Sequence, residues 1–486
     1  MEDFDLNLIA KKSVQSIIAL VSRTLFVQIL SIVASFVLTI YLDPRSFGIF
    51  FLVSSIIVFL NYFQDIGLAA SLIQKKEEPT LEDYRNAFTI QQVLVIVISI
   101  PLFFLAPKIG EFFGFGKNGV FLFDAFLISF LLSSLRTIPT VMLERHLNFH
   151  KLVIPQIGEN LVYNSALIFF AVSGYGLASF TIAVLARGIT GLILTYLIQP
   201  WKIGLSFDLV RTRKLLSFGI PFQANSILAL IKDDLINIYI GKILPLTQVG
   251  YVGFGQKWAF MPLRLVLDNV IKIIFPSLSR LQHDQRALRI VIEKSIFMIS
   301  LFIFPIAAGF ITLSSSFIEF IPRYLKWEPA IISLAFFSLN TVFGSVTNPL
   351  TNLLNAIGKV RITLYFMVFW TALTWILTPL FISLFGYNGV SMASFMVAVS
   401  SLAVLYKTRE FVEFSFTKPI FKPLVATILM AIFIFLSKPI IVKSLSLLSF
   451  EIILSIIFYF GILFLIARTE LLSALKLVRQ NIKVGI

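Results

Sequence analysis

The stretch YLDPRSFGIF, from Tyr41 to Phe50, ends one long apolar run and begins the next. A second stretch, ILPLTQVGYV from Ile243 to Val252, occupies the same place 202 residues later and aligns Gly48 with Gly250. The two stretches match at turn residues rather than at apolar positions, so chance similarity between apolar helices explains them poorly. They predict an internal repeat of membrane spans.

The repeat continues beyond these two turns. Lys151 falls on Arg361 at a shift of 210, and Gly174 falls on Gly386 at a shift of 212. One order of six apolar runs therefore appears twice. Because six is even, the copies share one orientation, and we expect a pseudo-two-fold axis along the membrane normal with a substrate cleft between the copies.

Composition places the chain in a lipid bilayer. Hydrophobic residues make up 58% and charged residues 13%, whereas a soluble domain averages about half and about a quarter. Apolar runs of the roughly 20 residues that a span needs recur about 14 times, from 17–42 to 447–468. The sequence predicts an all-α integral membrane protein with two six-helix lobes, 1–205 and 206–410, and two further helices with a cytoplasmic tail in 411–486.

Basic residues mark the side of the membrane that each loop occupies. The chain has 40 Lys and Arg against 25 Asp and Glu, a net charge of +15. With a cytoplasmic N-terminus, 25 of these basic residues fall in inner segments and 8 in outer segments, a bias typical of cytoplasmic loops. We expect a multi-pass protein of the cell inner (cytoplasmic) membrane with both termini cytoplasmic. Orientation accounts for the charge, so no nucleic-acid partner is expected.

The absence of cysteine and the scarcity of histidine argue against several kinds of site. The chain has no cysteine and three histidines, which argues against disulfides, thiolate metal sites and catalytic zinc. The run GFGKNG, from Gly114 to Gly119, lies between two spans instead of inside a strand–helix unit, so it does not predict a dinucleotide site. We expect no cofactor and no metal.

Charged residues inside the spans are the candidate functional residues, because a charge at the bilayer centre costs about 3 kcal/mol. In the eighth span Lys257, Arg264, Asp268 and Lys272 follow one another at 7, 4 and 4 residues and share one helical face. That face suits a wet cationic cleft. The alternative is a snorkelling pair with one salt bridge, Arg264 with Asp268.

Charged residues inside the other spans are candidate functional residues for the same reason. Adjacent carboxylates beside Lys232 in the seventh span predict an ion or proton site, with ion pairing to cleft arginines as the alternative. We expect the cationic cleft to bind substrate through Arg23, Arg136, Arg187, Lys232, Lys257, Arg264 and Lys272. We expect ion coupling or cleft ion pairs at Asp65, Glu159, Asp233, Asp234 and Asp268.

Loop and span-end motifs spread over about residues 10–410 carry a family resemblance. The chain resembles the Wzx-type polysaccharide (O-antigen) flippases of the polysaccharide transporter family, in the MOP (multidrug/oligosaccharidyl-lipid/polysaccharide, MATE-like) exporter superfamily. The motifs are SLIQKKE (71–77), LERHLNFHKL (143–152), FPSLSRLQHD (275–284) and NPLTNLLNAIGKVRI (348–362).

The resemblance implies a transporter rather than an enzyme. Its substrate would be an undecaprenyl-diphosphate-linked oligosaccharide, moved from the inner to the outer leaflet by alternating access for lipopolysaccharide O-antigen, exopolysaccharide or capsule synthesis. Partners would be that lipid, the bilayer, and polysaccharide polymerase and assembly proteins, with the transporter itself a monomer. Proton or sodium coupling is left open. The alternatives are a multidrug or cation exporter of the same superfamily and a lipid-linked glycan polymerase or ligase.

Overall fold

The computed structural model describes residues 6–471, and it describes their side chains except at 6–22, 25, 221, 222, 224–226, 268 and 273. Within that part of the chain every regular element is helical. The first helices are α1 Leu6–Tyr41, α2 Pro44–Asp65, α3 Leu68–Gln74, α4 Leu81–Phe113, α5 Gly116–Leu135, α6 Thr137–Arg145, α7 Phe149–Val172, α8 Ala178–Ile198 and α9 Leu209–Leu230.

A π-helical turn, Ile231–Leu235, joins α9 to α10 Ile236–Ile243, and a 3-10 turn, Leu325–Ala330, precedes α13. The helices after α10 include the two predicted to follow the repeat. They are α11 Leu246–Arg280, α12 Gln285–Phe320, α13 Ile331–Ala356, α14 Val360–Phe385, α15 Asn388–Ser400, α16 Ala403–Arg409, α17 Thr417–Ile441 and α18 Leu445–Ile466.

The predicted all-helical membrane fold is confirmed. In the described part of the chain, 10 helices are long and apolar enough to cross a bilayer, and the apolar stretch Phe26–Tyr41 of α1 is shorter. The order of the helices follows the order of the predicted spans. The number of 14 spans stays a prediction.

The chain folds as two compact units that divide after Gly250, inside α11. In the first unit α9 packs on α3 and α4, and α10 packs on α2. The predicted seventh span, which α9 and α10 form, therefore packs with the first unit, although the repeat assigns it to the second copy. The lobe boundary at 205/206 describes the repeat in sequence and stays a prediction.

Each unit contains the same three helix pairings, between helices at matching positions in the order of the spans. In the first unit α4 packs on α5, α5 on α8, and α7 on α8. In the second unit the corresponding pairs are α12 on α13, α13 on α15, and α14 on α15. These three pairings are common to the two units.

The first turns of α2 and α11 touch through the two glycines that the repeat aligns. A Cβ atom on Gly48 would overlap the carbonyl oxygen of Leu246, and one on Gly250 would overlap the carbonyl oxygen of Pro44. Only glycine permits this backbone approach. Asp43 fixes the start of α2, because its Oδ1 accepts a hydrogen bond from the backbone N–H of Ser46 at 2.9 Å.

Candidate functional site

Two of the predicted arginines meet around one of the predicted carboxylates inside the first unit. Glu159 of α7 is only 4% exposed. Arg136, at the end of α5, donates from Nη1 to Glu159 Oε2. Arg187 of α8 places Nη2 at 3.7 Å from Glu159 Oε1. We call Arg136, Glu159 and Arg187 the Glu159 cluster, and its net charge is positive because two guanidinium groups share one carboxylate.

A glycine makes room for the Glu159 cluster. Gly191 lies one helical turn after Arg187 on α8, and a Cβ atom there would overlap both Arg136 Nη1 and Glu159 Oε2. Sequence analysis did not single out Gly191. The signal that could have found it is its spacing of four residues from an intramembrane arginine.

Arg187 is the more accessible cation of the cluster. Its guanidinium carbon lies 5.6 Å from the centroid of the Tyr163 ring, and its side chain is 43% exposed against 24% for Arg136. Tyr163 is one turn after Glu159 on α7, so both contacts come from one helix face. Arg187 therefore keeps N–H donors open for a ligand, whereas Arg136 is directed into the protein.

Arg23 extends the cluster along α7. Its Nε donates to Gln156 Oε1 at 2.9 Å, and Gln156 lies three residues before Glu159, about 4.5 Å along the axis. Three arginines from α1, the α5–α6 junction and α8 thus converge on one face of α7. Such a set suits a phosphate or diphosphate group, because arginine forms paired, charge-assisted hydrogen bonds to phosphate oxygens.

A second cationic face lies on α11. Lys257, Arg264 and Lys272 are exposed, and none of them forms an ion pair with another described side chain. The side chain of Asp268 lies outside the described residues, so its pairing with Arg264 stays a prediction. Exposed cations on an apolar span need polar surroundings, which favours the predicted wet cleft over lipid.

The two carboxylates predicted in the seventh span lie in the π-helical turn between α9 and α10. Lys232 Nζ lies 2.7 Å from Asp233 Oδ1, and both residues belong to the π-helical turn, as does Asp234. Single π-helical turns are frequent at functional sites.

Asp65 has a structural partner and is not part of the Glu159 cluster. Its Oδ1 accepts a hydrogen bond from the backbone N–H of Ala69 at 2.9 Å. This bond satisfies one of the free N–H groups at the start of α3. In the structure Asp65 therefore holds the α2–α3 junction.

The helical fold and the charges inside its spans define a class, that of multi-pass membrane proteins. A family model described as polysaccharide biosynthesis protein (Polysacc_synt_3) matches residues 37–331. The chain therefore belongs to that polysaccharide biosynthesis family. The matched range contains the Glu159 cluster and the cationic face of α11, and leaves out Arg23.

Known relatives agree with that membership, and a solved structure has a similar fold. The chain is 24% identical over 349 residues to the lipopolysaccharide biosynthesis protein WzxC of Escherichia coli (strain K12), covering 71% of this chain and 70% of WzxC. It is 22% identical to the succinoglycan biosynthesis transport protein ExoT of Rhizobium meliloti (strain 1021), over 50% of this chain and 49% of ExoT. Its fold is similar to that of the lipid II flippase MurJ in an inward closed conformation, with a TM-score of 0.75 at 16% identity, covering 92% of this chain and 99% of MurJ.

Proposed function

We propose that this protein moves undecaprenyl-diphosphate-linked oligosaccharides from the inner to the outer leaflet of the cytoplasmic membrane, for the synthesis of a cell-surface polysaccharide. Membership of a polysaccharide biosynthesis family and the MurJ-like fold support this proposal. The observation that carries it is the convergence of Arg23, Arg136 and Arg187 on one face of α7, inside a membrane helix bundle.

The chemistry of such a substrate matches that site. A diphosphate and a sugar chain would each leave unpaired polar groups in hydrocarbon, at a cost of several kcal/mol per group, whereas the polyprenyl tail stays in lipid. Arginines replace the lost water around the phosphates. A membrane potential that is positive outside also favours outward movement of negative charge, by about 2.3 kcal/mol per charge per 100 mV.

We assign different roles to the arginines of the site. Arg187 and Arg23 bind the diphosphate, because Arg187 is half-exposed and Arg23 uses its Nε toward Gln156. Arg136 is a positioning residue, because its guanidinium is turned toward the buried Glu159. The exposed cations Lys257, Arg264 and Lys272 form a second phosphate-binding site, on α11.

The same proposal covers the orientation of the protein, its membrane, its oligomeric state and its partner. Both termini lie in the cytoplasm, the protein works in the inner membrane as a monomer, and a polysaccharide polymerase uses the exported lipid. The bias of basic residues toward alternate loops supports this orientation.

Depletion of the protein in its own cells tests the transport step. We expect undecaprenyl-diphosphate-linked repeat units to accumulate in the cytoplasmic membrane while surface polysaccharide falls, both measured by lipid extraction and mass spectrometry. Complementation with Arg187→Ala should leave both defects, whereas Arg45→Ala, at an exposed contact to a loop carbonyl, should correct them. Unchanged lipid pools after depletion would contradict the proposal.

The alternatives predict other outcomes of the same experiment. Loss of a polymerase would still leave single repeat units on the outer face, where an impermeant oxidant reaches their sugars. Loss of a drug exporter would change resistance to organic cations and leave surface polysaccharide intact. The cationic character of the Glu159 cluster and of the α11 face favours an anionic substrate over an organic cation.

A further inference from the structure

The connection between α8 and α9 carries an apolar surface that the function proposed above does not use. Residues 200–208 lie outside the helices, and from 203 onward their exposure alternates from one residue to the next. Gly204, Ser206 and Asp208 are half-buried, whereas the residues between and directly after them are large, apolar and between 55% and 79% exposed. We call these exposed residues the α8–α9 surface: Ile203, Leu205, Phe207, Leu209 and Val210.

Polar side chains of α4 impose this alternation. The backbone N–H of Ser206 donates to Thr89 Oγ1 at 2.9 Å, and the backbone N–H of Asp208 donates to Asn86 Oδ1 at 2.8 Å. Asn86 is itself fully buried, so the segment is held against a fixed part of α4. Successive side chains of an extended chain point in opposite directions. The apolar side chains at the odd positions are therefore directed away from the protein.

The length of α4 indicates the depth of this surface in the membrane. Lys242 Nζ donates to the carbonyl oxygen of Phe112 at 2.9 Å, which places the predicted outer end of α4 at a polar level. Thr89 precedes the last residue of α4, Phe113, by 24 residues, or about 36 Å along the axis. The hydrocarbon core is about 30 Å thick. Thr89 and the segment bound to it therefore lie at the level of the opposite lipid headgroups, and a tilt of α4 brings them closer to the hydrocarbon.

Basic side chains flank the α8–α9 surface. Lys202 comes directly before it and is exposed. Arg213 and Lys214 follow Leu209 and Val210 by one turn of α9, and the four residues share one exposed helix face. Within the described part of the chain, none of these three basic side chains forms an ion pair. They are therefore available to an anionic partner.

The acidic residues at the starts of α4 and α9 have basic partners of their own. The pairs are Glu82 with Arg85, Asp83 with Lys75, and Asp208 with Arg211, at 3.1, 2.6 and 3.1 Å. These carboxylates therefore leave the positive charge of Lys202, Arg213 and Lys214 unbalanced. A surface with excess positive charge attracts anions from solution or from a membrane.

We propose that the α8–α9 surface is a binding site for anionic phospholipids of the adjacent leaflet, which the bias of basic residues predicts to be the cytoplasmic one. Its apolar side chains enter the boundary between headgroups and acyl chains, and Lys202, Arg213 and Lys214 bind the headgroups. Apolar side chains beside basic ones are the combination by which interfacial segments bind anionic membranes. Headgroup depth favours lipid over a cytoplasmic protein as the occupant. The proposal does not depend on which substrate the protein transports.

Spin labels on the full-length protein test the position of this surface. The chain has no cysteine, so a single nitroxide can be attached at Leu205→Cys, in vesicles of phosphatidylcholine and phosphatidylglycerol. We expect the label to meet dissolved oxygen more often than a water-soluble nickel chelate. Its ratio should lie between those of two controls, Val97→Cys on an exposed apolar turn of α4 and Glu77→Cys on the exposed α3–α4 loop.

Two results of the spin-label experiment overturn the proposal. A label at Leu205→Cys that meets the chelate as often as the label at Glu77→Cys would mean that the surface faces water. A label shielded from both reagents would mean that protein covers the surface, either another chain or a second copy of this one.

Quenching by brominated lipids tests the recognition of anionic headgroups. Each basic residue near an anionic surface contributes about a fivefold preference. We expect brominated phosphatidylglycerol to be at least about fivefold enriched over brominated phosphatidylcholine around a fluorophore at Leu205→Cys. Replacement of Lys202, Arg213 and Lys214 by Gln should abolish this enrichment.

A charge-matched variant provides the control for the brominated lipids. Replacement of three other exposed basic residues by Gln removes the same net charge and should leave the enrichment unchanged; these residues are Lys76, Lys151 and Arg286. Equal quenching by the two lipids around the native basic residues overturns the headgroup site. An equal loss of enrichment in both triple variants also overturns it, because the preference would then follow the charge of the whole protein.

Discussion

Removing Glu159 should destabilise the first unit by leaving its arginines without a counter-charge. Breaking a buried ion pair by deleting one partner costs about 3–5 kcal/mol. Arg136 and Arg187 keep part of their surface exposed, so water recovers some of that loss. We expect Glu159→Ala to lower the free energy of unfolding by about 2–3 kcal/mol.

A double variant separates the stranded charge from the lost packing. Arg136→Met in the Glu159→Ala background removes the guanidinium that points at the empty site, and we expect it to restore at least half of the lost stability. Reversible denaturant unfolding in detergent gives the free energies. Glu111→Gln, on an exposed turn of α4, is the matched control and should change stability by less than about 0.5 kcal/mol.

Two results would refute this reasoning. Glu159→Ala with the stability of the native protein would mean that the carboxylate does not balance the arginines. A double variant that loses the sum of both single effects would mean that the two side chains act independently. In either case the assignment of Arg136 as a positioning residue fails.

Three further predictions concern the scaffold. Gly48→Ala should destabilise the protein by about 1–3 kcal/mol, because its methyl group meets the Leu246 carbonyl, whereas Gly461→Ala, which meets nothing within 4 Å, should not; equal thermal stability of the two variants would contradict this. Asp83 is bound by Lys75 Nζ at 2.6 Å and by Arg211 Nη1 at 3.4 Å, so Asp83→Asn should speed amide hydrogen exchange at the first turn of α9, and unchanged exchange there would argue against this connection. Hydrogen bonds from the backbone N–H groups of Arg211 and Val210, and from the Arg211 side chain, hold the pKa of Asp208 below its usual value. The cap on α9 should therefore persist at pH values above the ordinary aspartate pKa and weaken as the pH falls through the lowered pKa of Asp208. Amide hydrogen exchange at Val210 measures this change, and Asp208→Asn should show no such dependence on pH.

The helices could be predicted from the sequence because the bilayer imposes them locally. A span needs an unbroken apolar run with its backbone hydrogen bonds inside the helix, and both requirements are visible residue by residue. The equivalence of Gly48 and Gly250 was visible in the same way. Their direct contact was not, because it depends on how α2 approaches α11.

The candidate site depended on tertiary packing. Glu159 was predicted as a cleft charge, but its partners Arg136 and Arg187 come from other helices and meet it only where α7 packs on α8. Asp65 has the same sequence signal as Glu159, a carboxylate in a span, yet its partner is the backbone of Ala69. Sequence therefore determined which charges enter the membrane. The fold decided which of them are paired, capped or left open, because electrostatic energy in a low-dielectric interior depends on distances between helices that no local pattern records.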